Sequence, residues 1–336
     1  MSQSSFSRRN FLQLSAAGFA GVVLGGKSAF GNGTPPWKKT FTVSNTAAIR
    51  VMQFTDLHFF AGHKKNLSDE EELERRMHTV DDLKRHVDNA NADLILVTGD
   101  FWHENPEGRG PEYKAFAVEQ LENLGVPWAF TWGNHDHLPD IAAGHRDLAA
   151  AKGSLYCGAA EDGNYVISIE DKSGTALAEI FCLNTKDIGV QEDTRQFIRR
   201  AAGADAAKRP MRIAACHIPL QQHDQVWEDK IATGFIGERI CFEEEDGSSL
   251  NVLSDSGIQA FLCGHDHTND YSGVMAGVEL IYGRSTGYSG YGNDKLPKGA
   301  KVYTLDPARK AMEWESLLPD GSTWRPGPDE RIDKRS

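Results

Sequence analysis

The sequence predicts an α/β fold in which two sheets face each other inside layers of helix. Three observations carry that expectation. The first half of the 336-residue chain alternates apolar, β-forming runs with amphipathic helical stretches. The second half returns to strands and helices after a hairpin-like middle. The main strands end in polar residues, at the edge where open α/β sheets hold their ligands.

The first strand is the apolar run from Ile49 to Phe54, which stops abruptly at Thr55-Asp56-Leu57-His58. On an extended chain alternate side chains share a face, so Asp56 and His58 are expected to project together. Ser68 to Ala92 reads as a long helix, with Ser68 as its cap, acidic residues in its first turn, and Leu73, Met77, Val80, Leu83 and Val87 at helical spacing. Asp93 to Thr98 is a buried strand ending in Gly99-Asp100, and Pro111 to Leu124 is a second helix. Val126 to Thr131 is a short strand ending in Gly133-Asn134-His135-Asp136. The middle changes character: Tyr165 to Ile169 and Ala178 to Leu183, separated by Asp171-Lys172-Ser173-Gly174, predict an antiparallel hairpin. A helix over Glu192 to Ala207 then leads into strand Met211 to Cys216, which ends at His217. Ile218 to Asn251 is polar and irregular, and strand Ile258 to Cys263 ends in Gly264-His265-Asp266-His267. Gly273 to Leu318 predicts antiparallel strands broken by a Gly-, Ser- and Tyr-rich loop over Gly283 to Lys295.

Composition narrows the function classes. The formal charge is −12, and no extended basic patch is present to grip a nucleic-acid backbone, so no nucleic-acid partner is expected. Bound divalent cations reverse the sign locally and leave a small phosphorylated substrate open. The five cysteines (Cys157, Cys182, Cys216, Cys241, Cys263) are scattered, with no C-x-x-C pair, so neither a disulfide framework nor a zinc ribbon is indicated.

The amino terminus carries a separate message. Ser7-Arg8-Arg9-Asn10-Phe11-Leu12 before the Ala- and Gly-rich run Leu14 to Leu24 resembles a twin-arginine export signal over residues 1–31. The apolar run is too short to span a bilayer, and no cysteine follows to carry a lipid, so no stable membrane anchor is expected. Cleavage is expected between Ser28 and Gly33, giving an exported protein, periplasmic or secreted, whose partner in transit is the twin-arginine translocase. Residues 32–45 read as a Gly/Pro-rich linker, 46–318 as the main folded domain and 319–336 as a polar tail.

Five strand ends thus carry Asp56 and His58, Asp100, Asn134 and His135, His217, and His265 and His267. Each alone is bland; five in succession are not. Oxygen and imidazole donors without thiolate suit divalent ions, with Fe, Mn or Zn ahead of Ca or Mg. The donors outnumber the needs of one ion, and a carboxylate can bridge, so two divalent ions are the economical reading.

The pattern Asp-x-His, Gly-Asp, Gly-Asn-His-Asp, His, Gly-His-x-His, in that order over Ile49 to Tyr282, resembles the calcineurin-like metallophosphoesterase superfamily. The resemblance implies a four-layer αββα sandwich with two mixed β-sheets and a dinuclear centre. It puts Asp56, His58 and His267 on one ion and Asn134, His217 and His265 on the other, with Asp100 bridging. It makes His135 the catalytic group at the substrate phosphate or leaving oxygen, oriented by Asp136. Within the superfamily, Gly264 to Asp270 and Tyr282 to Gly292 resemble bacterial and eukaryotic proteins similar to purple acid phosphatases. One departure stands out: the tyrosine ligand that true purple acid phosphatases place three residues after the Gly-Asp aspartate is His103 here. Neither ferric-tyrosinate colour nor a strict mixed-valence iron pair is therefore expected.

Around that centre, His103, His137, Arg284 and Tyr288 are the candidate substrate-binding residues, with Tyr291 in the same loop. His63, His78, His86, His145 and His223 read as surface or helix residues. The expected activity is hydrolysis of phosphomonoesters or small phosphodiesters by metal-bound hydroxide. The rivals are a nuclease or cyclic-nucleotide phosphodiesterase and, from another class, a non-catalytic binding protein on the same fold.

Overall fold

The computed structural model describes residues 34–203 and 209–335. The expected export signal lies outside the described residues, as does the end of the helix anticipated up to Ala207. Pro36 to Ser336 forms one compact unit. Among the described residues no helix is long and apolar enough to cross a membrane.

In chain order the elements are β1 (Lys38–Thr42), β2 (Ile49–Phe54), α1 (Asp69–Ala90), β3 (Leu94–Thr98), α2 (Gly110–Leu124), β4 (Trp128–Thr131), α3 (Ile141–Ala150), β5 (Tyr165–Glu170), β6 (Ala176–Cys182), α4 (Glu192–Ala202) and β7 (Met211–Ala215). The chain continues through α5 (Gln222–Glu228), β8 (Thr233–Ile236), α6 (Ser249–Asp255), β9 (Ala260–Cys263), β10 (Asn269–Met275), β11 (Val278–Tyr282), β12 (Ala300–Asp306), β13 (Ala311–Leu317), β14 (Thr323–Trp324) and β15 (Arg331–Asp333). A six-stranded sheet runs β14-β13-β12-β2-β3-β4 and a nine-stranded sheet β1-β5-β6-β7-β9-β11-β10-β8-β15. Both are mixed: β2, β3 and β4 are mutually parallel, as are β6, β7, β9 and β11, whereas β12 and β13 or β10 and β11 pair antiparallel.

Alternation along the strands of the larger sheet divides the core in two. Ile167, Ile180, Ile213 and Leu262 point one way, toward β2, β3 and β4 of the other sheet, in a core cluster that continues to Val80 and Leu83 of α1 and Leu121 of α2. Val166, Phe181, Ala214 and Phe261 point the other way, against Phe197 of α4, Trp227 of α5 and Leu253 of α6. Helices therefore cover the outer face of each sheet, which is the expected αββα order.

Helix α1 begins as expected: Glu71 N donates to Ser68 Oγ at 3.3 Å, and Glu71 Oε2 accepts from Ser68 N at 2.9 Å. Its apolar stripe is buried only from Thr79 onward, leaving Leu73 and Met77 exposed. Three edge strands fall where no strand was expected. Within the anticipated linker, β1 pairs in parallel with β5, and within the anticipated tail β14 pairs with β13 and β15 with β8. These strands span only two to five residues, too few for an alternation to stand out from the Gly, Pro and charge around them. The polar stretch after His217 likewise folds into α5, β8 and the start of α6.

Of the histidines read as surface or helix residues, His86 in α1, His145 in α3 and His223 in α5 lie on helices, and all three are buried. Neither ring nitrogen of His86 has a hydrogen-bond partner, and burial, ahead of the opposing Asp82 carboxylate, lowers its pKa from 6.5 to about 4. In acid the unfolded chain takes up this proton first, so stability falls as pH drops below the unfolded value toward the folded one. His86→Leu is expected to remove about 2 kcal/mol of the loss between about pH 7 and about pH 5. Thermal unfolding at the two pH values checks this, and an unchanged difference between variant and wild type would rule out the histidine as a source of acid lability.

Candidate metal centre

The carboxyl ends of β2, β3 and β4 in one sheet and of β7 and β9 in the other open onto one place. The extended geometry does not persist beyond β2. Asp56 and His58 both take left-handed backbone angles (φ 55 and 48), as do Asp100 (φ 52) and His265 (φ 78). Such angles are uncommon for residues with a Cβ and collect at functional sites, where the surroundings impose them. Here the surroundings are inter-loop hydrogen bonds: Asp56 N donates to Gly99 O at 3.2 Å, His58 N to Asp100 O at 2.8 Å, and Gly264 N to His217 O at 2.9 Å. Gly99 is required by its own φ of 83 and by crowding, since a Cβ there would fall 2.5 Å from the His217 ring.

The result is two clusters of ligand atoms. Asp56, His58 and His267 form one, and Asp100, His217 and His265 the other. Asn134 Oδ1 joins the second cluster at 2.9 Å from His217 Nε2. Asp100 Oδ2 lies 3.3 Å from His58 Nε2 and 3.2 Å from His217 Nε2, so one carboxylate oxygen is common to both. All seven anticipated ligands are thus brought together, with Asp100 at the boundary.

The residues present fit divalent cations. His58 Nε2 faces His267 Nε2 at 3.0 Å, and His217 Nε2 faces His265 Nδ1 at 3.2 Å. Lone pairs aimed at each other need a proton or a cation between them. Burial lowers the His58 pKa well below the usual imidazole value, with the adjacent His267 and His103 rings acting in the same direction against Asp100 and Asp56. His217 behaves oppositely: burial opposes its charge, but the Asp100 and Asp56 carboxylates outweigh burial and raise its pKa to about 10. A cation taken up at neutral pH therefore displaces a proton from His217.

Beside the clusters opens a cavity of about 300 Å³. His135, its side chain 32% exposed, stands on the cavity wall, with the buried His103 ring stacked on it at a centroid distance of 4.4 Å. Tyr291 lines the same cavity and stacks on His267 at 3.9 Å.

Other expectations need correction. Asp136 does not orient the His135 ring. Its carboxylate accepts backbone hydrogen bonds from Asp100, Phe101, Trp102 and Gly133, at 2.7 to 3.1 Å, and so ties the loop after β3 to the loop after β4. The carboxylate nearest His135 Nδ1 is that of Glu104, at 3.5 Å. His137 is exposed, 3.8 Å from Asp187, and does not line the cavity. Arg284 is buried in an ion pair with Asp270, at 2.6 Å. Tyr288 donates to Asp82 and stacks on His78, away from the cavity that Ser289, Gly290 and Tyr291 do line. Lys64, Lys65, Glu104 and Glu243 were missed: Lys64 and Lys65 line the cavity from a short 3-10 helix (Ala61–Lys65) and Glu104 approaches it from a loop, none with motif spacing, and Glu243 belongs to an acidic run that reads as a solvated loop.

A two-sheet α/β sandwich whose strand ends converge on a carboxylate and histidine cage defines a class of metal-site protein. Residues 49–269 match the model of the calcineurin-like phosphoesterase family, and the chain belongs to that family. It is similar to the Arabidopsis thaliana protein named "Probable inactive purple acid phosphatase 28", at 24% identity over 326 residues, 85% of this chain and 82% of that one. It is also similar to tartrate-resistant acid phosphatase type 5 of Mus musculus, at 25% identity over 232 residues, 62% of this chain and 64% of that one. Among solved structures, a dimetal phosphatase from Danio rerio superposes with a TM-score of 0.50 at 12% identity, covering 79% of this chain and 98% of that chain, a likeness of fold.

The Asp136 geometry generates a test. Asp136→Ala leaves four backbone N–H groups without their acceptor, so it is expected to cost on the order of 3 kcal/mol of stability. It should also lower metal content, because the two loops it ties carry Asp100 and Asn134. Calorimetry and metal analysis after dialysis check this; a variant with wild-type stability and metal content would show that the Asp136 tie does not hold the two loops.

Proposed function

We propose that the protein is a binuclear metal-dependent phosphoesterase that hydrolyses phosphomonoesters or small phosphodiesters in the cavity beside the cage. The observation that carries this reading is the shared Asp100 oxygen between two pairs of facing imidazoles, with His135 on the open wall next to them. Two divalent ions held there would neutralise phosphoryl oxygens and make a water nucleophilic at neutral pH. Asp56, His58 and His267 would hold one and Asn134, His217 and His265 the other, with Asp100 common to both.

The chain's own groups do the rest. His135 presents its exposed edge to the cavity and protonates the departing oxygen, which matters most for alkoxide-like leaving groups. Lys65 reaches the cavity wall and bonds the carbonyl of Gly290, linking the turn after His58 to the loop that carries Tyr291. Tyr291, stacked on His267, holds that ring against rotation. The size of the cavity favours a small ester. Glu243 on its wall, with the net charge of −12, disfavours a polyanionic nucleic acid, so a nuclease is the weaker reading. The word "inactive" in the Arabidopsis name belongs to that protein. The complete ligand set here, with His135, weighs against a non-catalytic binding protein.

The proposal extends to location. The twin-arginine motif supports export, and the short apolar run after it supports release without an anchor. Replacing Arg8 and Arg9 by lysine in the full chain should retain it in the cytoplasm of a host with that translocase; undiminished export of the variant contradicts this route.

The activity is tested with protein loaded in turn with Mn, Zn and Fe and assayed on aryl phosphates and bis-aryl phosphates. His135→Ala is expected to keep both ions while kcat on phenyl phosphate falls by about a hundredfold or more. No turnover by wild-type protein under any loading contradicts the reading, and metal loss in His135→Ala would make that residue a ligand.

A further inference from the structure

Outside the seven candidate ligands, Glu104 follows the Asp100 loop and holds a left-handed backbone (φ 63), with its N–H donating to His135 O at 2.7 Å. One carboxylate oxygen, Oε1, has three cationic or ring-nitrogen neighbours: Lys64 Nζ at 2.9 Å, His135 Nδ1 at 3.5 Å and His103 Nε2 at 3.8 Å. Both of those ring nitrogens are buried and have no hydrogen-bond partner. A buried ring nitrogen left unpaired is costly, and Glu104 is the acceptor within reach of both.

Tautomers follow from the cage. His58 directs Nε2 at Asp100 and His267 and Nδ1 at His103 Nδ1, 2.9 Å away. If His58 Nε2 is a ligand lone pair, its Nδ1–H is the donor and His103 Nδ1 the acceptor. Neutral His103 then carries its proton on Nε2, the nitrogen that faces Glu104. The same chain of protons argues against a third cation held by His63, His103 and Glu104, although their ligand atoms lie close enough for one, because His103 Nε2 has no free lone pair.

We propose that Glu104 is the positioning residue for His135. It accepts the Nδ1–H of His135 and the Nε2–H of His103, and fixes the stacked rings so that the exposed edge of His135, which carries Nε2, faces the cavity. The 3.5 and 3.8 Å separations are longer than hydrogen bonds and close when substrate fills the cavity, as catalytic contacts commonly do. During turnover the doubly protonated His135 ring gives its Nε2 proton to the departing oxygen and ends as the neutral Nδ1–H tautomer, with that N–H still donating to Glu104. The inference rests on the phosphoesterase reading and adds to it a residue outside the family motif.

The experiment compares wild type, Glu104→Gln, His135→Ala and the double variant on phenyl phosphate and 2,4-dinitrophenyl phosphate, with metal content measured on the same samples. Glu104→Gln should lower kcat on phenyl phosphate by about tenfold or more and on the dinitrophenyl ester by less than about threefold, with KM and metal content unchanged. Adding it to His135→Ala should cause no further loss. In zinc-loaded protein at a pH where the His135 ring is neutral, ¹⁵N NMR of the histidines should show its one proton on Nδ1, and that tautomer should be lost in Glu104→Gln. Equal losses on both esters, an additive double variant, an unchanged tautomer or a lost metal ion would each overturn the proposal, the last by making Glu104 a ligand. If His135→Ala itself shows no dependence on the leaving group, the role of His135 fails instead, independently of Glu104.

Discussion

One oxygen atom sits where the two sheets meet. Asp100 Oδ2 lies within 3.3 Å of imidazoles that come from opposite sheets, His58 after β2 and His217 after β7. For that to happen the carboxylate must be held in place on all sides. Its backbone N–H is bonded to Asp136, its other oxygen accepts from His135 N at 2.9 Å, and its own φ is left-handed. Gly99 and Gly133 flank the approach because a Cβ at either would collide with His217 or with Asp100 itself. Two carboxylates and four imidazoles meet there, with ring nitrogens facing each other at 3.0 and 3.2 Å, a donor set that a divalent cation would satisfy.

The sheets must keep their relative position for such an arrangement to last, and buried polar groups pin them. Gln53 on β2 donates to Thr98 on β3 and to the carbonyl of Cys263 on β9, and accepts from Tyr303 on β12. Farther along, Asp270 on β10 of the larger sheet is fully buried against Lys301 and Ser316 on β12 and β13 of the smaller one, and against Arg284. Burying these charges costs desolvation that an apolar cluster would avoid, and removing one partner would leave the others unpaired at a high cost. Such a network specifies one alignment of the sheets, the alignment that superposes the strand ends at the cage.

Much of this was legible in the chain itself. Strand ends announce themselves because apolar runs such as Ile95 to Val97 or Phe261 to Cys263 stop at residues with ligand chemistry, and the order of those stops is characteristic. The helix beginning at Ser68 was readable from its capping chemistry. What stayed hidden depends on burial and on loop conformation. Arg284 and Tyr288 looked like pocket residues because they lie in a Gly-rich loop, yet one serves the inter-sheet ion pair and the other the surface of α1. Asp136 looked like a partner of His135 because it follows it, but a left-handed turn at Asp100 delivers three backbone N–H groups to its carboxylate. Glu104 has no motif spacing, and only the fold brings it to His135. His86 and His223 carry no sign in the sequence of being buried.

The central claim is that two cations share Asp100. Low-temperature electron paramagnetic resonance of the manganese-loaded protein tests it most directly. Two ions bridged by one carboxylate should give an exchange-coupled spectrum with many closely spaced lines that integrates to two ions per chain, and Asp100→Asn should collapse the coupling. A simple six-line spectrum of isolated ions in the wild-type protein, unchanged by that substitution, would contradict the account.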